Sequence, residues 1–136
     1  VLFLPEASDY IASSAEESVR LARPVDDSIF VQGIQTASKA ANIAVNVGIH
    51  EPAESGKKLK NTSIWIEDGE ITQRYQKLHL FDVDIKGGPL LKESNSVEKG
   101  MSILPPFETA VGRVGLTICF DVRNLLLRAQ PLASPT

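Results

Sequence analysis

Glu6, Lys77 and Cys119 are the residues of this chain whose types and positions suit covalent chemistry. Each stands where a loop leaves an expected strand: Glu6 just after Pro5, Lys77 at the end of a hairpin, Cys119 at the end of an apolar run. Open α/β proteins build sites at strand ends, where the backbone is rigid and side chains face a crevice. A thiol at the start of a helix has its thiolate favoured by unpaired N–H groups, and a nearby ammonium group adds to that. A carboxylate in reach takes the thiol proton. Together the three would supply a nucleophile, a base and a cationic oxyanion stabiliser. Each also has a plainer reading: Cys119 as an inert buried residue, Glu6 as an N-cap or surface carboxylate, Lys77 as a solvated strand end. His50 and His79 read as structural histidines, and Trp65 as a packing residue on the hairpin.

The elements that must position these residues alternate between strand and helix. Residues 1–4 read as a buried strand stopped at Pro5. Ser13-Ser14 before Glu16-Glu17 predicts a short helix to about Ala22, ending before Pro24. Asp26 or Asp27 is expected to cap a longer helix with Ile29, Phe30, Ile34, Ala37 and Ala41 at helical period. Residues 43–49 read as a strand and residues 51–60 as a loop holding Pro52 and Gly56. Residues 61–67 alternate, with Thr62, Ile64 and Ile66 on one face. Asp68-Gly69 is a type I′ hairpin signal, and residues 70–76 form the return strand. Residues 77–101 read as a long irregular stretch, functional or disordered. A second hairpin is expected over 107–119, with its turn at Gly112-Arg113 and an apolar strand Val114 to Cys119. Residues 121–130 read as an amphipathic helix. The pattern is α/β, a mixed sheet with hairpins and flanking helices; the hairpins argue against a purely parallel sheet.

Composition narrows the function classes. The 136 residues make one domain by length, and 43% of them are apolar, enough for a packed core. With 14 basic against 17 acidic residues there is no cationic excess to hold a phosphate backbone, so no nucleic-acid partner is expected. The single cysteine excludes an intramolecular disulfide framework and a Cys-rich metal site. The apolar runs are only a few residues long, so no membrane partner is expected. Neither G-x-G-x-x-G nor P-loop spacing occurs, so a nucleotide cofactor has no support.

Three runs taken together go further than any single residue: Leu2-Phe3-Leu4-Pro5-Glu6-Ala7, Tyr75-Gln76-Lys77-Leu78-His79-Leu80-Phe81-Asp82, and Gly115-Leu116-Thr117-Ile118-Cys119-Phe120-Asp121-Val122-Arg123. In order and spacing they resemble the three motifs of the carbon–nitrogen hydrolase (nitrilase) superfamily. Asp82-Val83-Asp84-Ile85 with Gly87 and Glu93-Ser94-Asn95-Ser96 resembles its Nit branch, of omega-amidases and deaminated-glutathione amidases; Glu93-Ser94-Asn95-Ser96 and residues 5–11 look closer to the latter. The resemblance implies Cys119 as nucleophile, Glu6 as general base, Lys77 with the Phe120 backbone N–H as oxyanion support, and Glu93 as a second glutamate holding the site. It implies amide hydrolysis through a Cys thioester with ammonia release, a small-molecule amide as substrate, a homo-oligomer, and no metal or organic cofactor. It also implies part of an α-β-β-α sandwich.

The resemblance stops after Arg123, where Asn124-Leu125-Leu126 stands in place of an aromatic residue and Pro-Glu. Residues 1–123 therefore read as the N-terminal part of the hydrolase domain and residues 124–136 as a divergent Pro/Ser-rich tail. The opening on Val1 suggests a fragment whose own N-terminus is missing. Two functional readings follow: an amidase, or a catalytically inactive truncated homologue acting at most as an interaction partner. A small-molecule-binding α/β module is a third, with no motif behind it. The cytosol is the expected compartment, with the mitochondrion as alternative.

Overall fold

The computed structural model describes residues 1–84, 86, 87 and 90–123. A five-stranded mixed sheet organises it. β1 (Leu2–Phe3) runs parallel to β2 (Val45–Pro52); β2 pairs antiparallel with β3 (Leu59–Glu67), and β3 with β4 (Glu70–Gln76). Helices α1 (Ala15–Leu21) and α2 (Ile29–Ala41) lie between β1 and β2 in the chain. After β4 come a small hairpin of β5 (Asp82–Asp84) and β6 (Leu90–Lys92), then β7 (Val97–Glu98), then a second hairpin of β8 (Phe107–Thr109) and β9 (Gly112–Val114). β7 runs parallel to Leu59-Lys60 of β3, continuing along the edge where β4 has ended.

Local chemistry sets several of these elements. Ser14 caps α1, its hydroxyl accepting the Glu17 N–H. Asp68 and Gly69 both take positive φ, 49° and 79°, as a type I′ turn needs. β4 spans residues 70–76 as the alternation predicts.

The core lies on both faces of the sheet. Val45, Val47, Ile49, Ile64 and Ile66 pack with Val25, Val31, Phe30 and Ile34 on the α2 side. Trp65, Tyr75, Leu78, Leu116 and Ile118 pack on the other side with Leu104, Phe107 and Val114. Burial on both faces explains why residues 61–66 are all buried although their pattern alternates. Trp65 is a packing residue, its ring edge-on to Phe3 and Phe107.

Several expectations are corrected. Leu2 and Phe3 of β1 are exposed, because β2 is the strand's only ladder partner among the described residues. Ser28, not Asp26 or Asp27, caps α2; the two aspartates sit in a preceding 3-10 turn. The buried face of α2 runs through Val31 and Ser38, leaving Ile29 exposed. β2 starts at Val45 because Asn42 ends α2 in the left-handed conformation and the Ile43 N–H still bonds Ser38. The second hairpin turns at Ala110-Val111, where the Thr109 hydroxyl accepts the Val111 N–H. Residues 115–118 are not a strand: Leu116 and Ile118 alternate inward as a strand's side chains would, but the Ile118 N–H is taken by the Asp121 carboxylate. The stretch 77–101 contains β5, β6, β7 and a 3-10 turn. The expected helix over 121–130 meets a 3-10 helix, Cys119–Arg123; its remainder and the tail 124–136 lie outside the described residues.

One close approach positions Glu6. The turn after β1 folds back over β2, with Gly48 N–H bonding Pro5 O at 3.1 Å and Ser8 N–H bonding Gly48 O at 2.9 Å. A Cβ on Gly48 would lie 2.6 Å from Glu6 Cα and 2.8 Å from Pro5 O, closer than backbone atoms permit. Gly48→Ala is therefore expected to destabilise the chain by roughly 1–3 kcal/mol, as overpacking does. Urea melts measure this, and a midpoint within error of the parent's would refute it.

Candidate active site

Four of the predicted site residues line one open cleft: Glu6, Lys77, Glu93 and Cys119. Lys77 is its centre. It follows the last residue of β4, and its backbone is held on both sides, N–H to Asn61 O at 2.9 Å and C=O from Gly100 N–H at 2.8 Å. Its ammonium group is buried and donates to Glu6 Oε1 at 3.0 Å and to both Glu93 oxygens at 3.0 Å. Glu93 opens a 3-10 turn after β6, and its Oε2 also accepts the Phe81 N–H at 2.6 Å. Residues 82–95 thus do specific work, since the β5–β6 hairpin brings the second carboxylate back to the lysine.

The charges hold one another. Burial alone would pull the Lys77 pKa down, but the hydrogen bonds and charges of Glu93 and Glu6 outweigh it and raise it. Burial would likewise push Glu6 up, yet the Lys77 ammonium and the Asn61 amide bring it below the ordinary carboxylate value. At neutral pH the cleft therefore holds a cation beside an ionised carboxylate.

Cys119 begins the 3-10 helix with φ of 45°, a left-handed conformation uncommon outside glycine. It is exposed, so the reading as a buried inert residue is set aside. It lines the same cleft as Glu6. The expectation of a favoured thiolate is overturned. Partial desolvation and the Glu6 carboxylate raise the thiol pKa by more than Lys77 lowers it. The five-residue 3-10 helix is also a poor source of aligned dipoles. The direction of the shift favours the thiol over the thiolate at neutral pH. Phe120 sets its ring edge-on against Phe81, with centroids 5.3 Å apart, giving the cleft an aromatic side.

Two residues that the sequence reading assigned no role are built into this arrangement. Asn61, buried on β3, donates its Nδ2 to Glu6 Oε1 at 2.6 Å and to Glu93 Oε1 at 3.4 Å. Asp121, fully buried, accepts from Tyr75 O–H at 2.7 Å, His79 N–H at 2.7 Å, His79 Nδ1 at 2.9 Å and Ile118 N–H at 3.1 Å. It ties the turn at Cys119 to the end of β4, next to Lys77. The available signal for Asn61 was an amide inside a run of strand formers; for Asp121, a carboxylate two residues after the cysteine. His79 is thereby structural, and so is His50, whose Nδ1 meets Asp9 Oδ1 at 2.9 Å. Among the described residues no cluster of three or more metal-ligating side chains occurs, and no helix is long and apolar enough to cross a membrane.

Comparison with known proteins identifies the family. The carbon-nitrogen hydrolase family model matches residues 1–134. The Schizosaccharomyces pombe protein named Probable hydrolase nit2 is 48% identical over 124 residues, covering 90% of this chain and 45% of its own length. Deaminated glutathione amidase of Rattus norvegicus is 36% identical over 125 residues, covering 89% of this chain and 38% of its own. The crystal structure of the C. elegans NitFhit protein superposes with a TM-score of 0.83 at 35% identity, over 93% of this chain and 31% of that one. The chain thus spans less than half the length of these relatives, and its mixed sheet, hairpins and helices form part of a nitrilase-type α/β fold. On its sequence and its fold, this chain belongs to the carbon–nitrogen hydrolase family.

Proposed function

We propose that the protein is an amidase that hydrolyses a small omega-amide, of deaminated glutathione or of an α-keto acid, to carboxylate and ammonia. One observation carries the reading: a buried lysine clamped at 3.0 Å by two glutamates, in a cleft that an exposed cysteine also lines. The names of the fission-yeast and rat relatives support the reaction class.

In this reading Cys119 Sγ attacks the amide carbonyl carbon while Glu6 takes the thiol proton. The carbonyl oxygen becomes an oxyanion, stabilised by the Lys77 charge and the Phe120 N–H. Glu6 returns its proton to the departing nitrogen, the C–N bond breaks, and ammonia leaves behind a thioester. Water then attacks the thioester as Glu6 takes its proton. The C–S bond breaks, and the sulfur regains a proton from Glu6 as the carboxylic acid departs. Glu93 keeps Lys77 charged throughout. The raised thiol pKa suits this sequence, because it makes proton transfer to Glu6 part of the attack.

The test is ammonia release from omega-keto-amides by the purified chain, with intact-mass detection of an acyl adduct on Cys119 after rapid acid quench. Stoichiometric ammonia with a transient adduct is expected. No ammonia and no adduct would overturn the reading. It would favour the second one, an inactive homologue that pairs with another polypeptide, for which the exposed Val1, Leu2 and Phe3 are the specific observation.

A further inference from the structure

Asn61 carries an unpaid polar atom. Its Nδ2 faces two carboxylates, and its Oδ1 is buried with no hydrogen-bond partner among the described residues. Native structures rarely leave a buried acceptor unmet, and such exceptions call for an explanation. The explanation lies in the neighbours. Turning the amide over would aim its oxygen at Glu6 and Glu93 and orphan the nitrogen instead. Two negative charges therefore dictate the orientation, at the expense of Oδ1.

The same geometry divides the labour of the two Glu6 oxygens. Oε1 accepts from Asn61 Nδ2 at 2.6 Å and from Lys77 Nζ at 3.0 Å. A carboxylate oxygen offers about two lone-pair directions, so these donors saturate it. Cys119 lines the same cleft as this carboxylate, and with Oε1 taken, Oε2 is the oxygen left to receive its thiol. With Lys77 alone, the carboxylate could pivot about its terminal torsion, which is broad and roughly two-fold, and exchange its oxygens. A second donor from a rigid central strand removes that freedom.

We propose that Asn61 is a positioning residue that locks Glu6 through Oε1 and so dedicates Oε2 to proton transfer with Cys119. This rests on the reading of Glu6 as the base. Asn61 itself touches neither thiol nor substrate; it acts through Glu6. Because it is neutral, it does this without adding a third charge to a cleft that already holds one cation and two anions. An aspartate at 61 would repel both glutamates.

Two measurements test the assignment without relying on amide turnover. In the unaltered chain, the Asn61 side-chain amide protons are followed by 15N-edited NMR as the Glu6 carboxyl is titrated by 13C NMR, with Glu6→Gln to assign the signal. The amide protons are expected downfield and to move at the Glu6 midpoint; an amide that stays flat through that titration overturns the proposal. In Asn61→Ala and Asn61→Ser, the Glu6 midpoint is expected to rise, because one of the donors that hold it down is lost. A midpoint equal to the parent's, in variants whose circular dichroism shows a native fold, would overturn it as well. Should neither variant fold, the NMR result on the parent chain decides. Ammonia release separates the two readings. An active enzyme whose Glu6 ignores the loss of Asn61 refutes the positioning role alone; coupled titrations without ammonia release refute the amidase reading alone.

Discussion

Cys119→Ala is expected to eliminate ammonia release, lowering kcat/KM by roughly 10⁴-fold or more, the scale seen when a covalent nucleophile is removed. In the proposed reaction water cannot replace the sulfur, because Cys119 is the thiol that lines the cleft with Glu6 and Lys77. The loss is chemical, not structural. Cys119 is exposed, so its truncation is expected to change stability by no more than about 0.5 kcal/mol. The backbone supplies a second readout. A φ of 45° costs an ordinary side chain on the order of 1–2 kcal/mol and costs glycine little. Cys119→Gly is therefore expected to melt above Cys119→Ala, while both are inactive. The pH dependence has a definite sign. With its pKa raised, the parent thiol alkylates more slowly at neutral pH than a free cysteine, and the rate climbs only as pH passes the ordinary thiol range. Residual turnover in Cys119→Ala, or a thiol already fully reactive at neutral pH, would contradict this account.

Asp121→Ala is expected to be the most destabilising single substitution near the site, at about 3–5 kcal/mol. It would remove the acceptor of two buried donors, the Tyr75 hydroxyl and the Ile118 N–H, and of the half-buried His79 N–H and ring. A domain of this size has only about 5–15 kcal/mol of net stability, so the variant is expected to be partly unfolded at 37 °C. Asp121→Asn keeps one acceptor but turns an N–H₂ toward groups that also donate. It is expected to cost less, roughly 1–3 kcal/mol. Tyr75→Phe removes one donor and leaves the carboxylate its remaining partners, so about 1 kcal/mol is expected. Tyr75 stays a phenol throughout, since burial and the adjacent Asp121 both push its pKa upward. Urea denaturation of the three variants orders them, and equal midpoints for Asp121→Ala and Tyr75→Phe would show that the bracket has no special weight. Because Asp121 also holds the Ile118 N–H, its loss is expected to release the strained turn at Cys119.

Much of this molecule was legible without coordinates. Asp68-Gly69 announces its turn because only a left-handed pair closes a two-residue hairpin with the right twist. Ser14 announces α1 because a hydroxyl there meets an orphan N–H three residues on. Glu6, Lys77, Glu93 and Cys119 were legible through motif resemblance, and they do share a cleft. The errors have a common origin. The cap of α2, the start of β2 and the turn of the second hairpin were each displaced by side-chain bonds from Ser28, Thr109 or an extra backbone bond at Ile43. Those bonds compete with the periodic signal over only a few residues.

What the sequence by itself determined is local: the hairpin, the first helix, the apolar strands and the identity of the four chemical groups. Such features depend on neighbours within one turn or one strand pair. What only the tertiary structure decided is relational. Asn61 meets Glu6 across 55 positions and Asp121 meets Tyr75 across 46, contacts created by strand register and burial on both faces of the sheet. The protonation of Cys119 belongs to the same class. A charge from Glu6 and loss of solvent set it, and neither exists until the chain has folded.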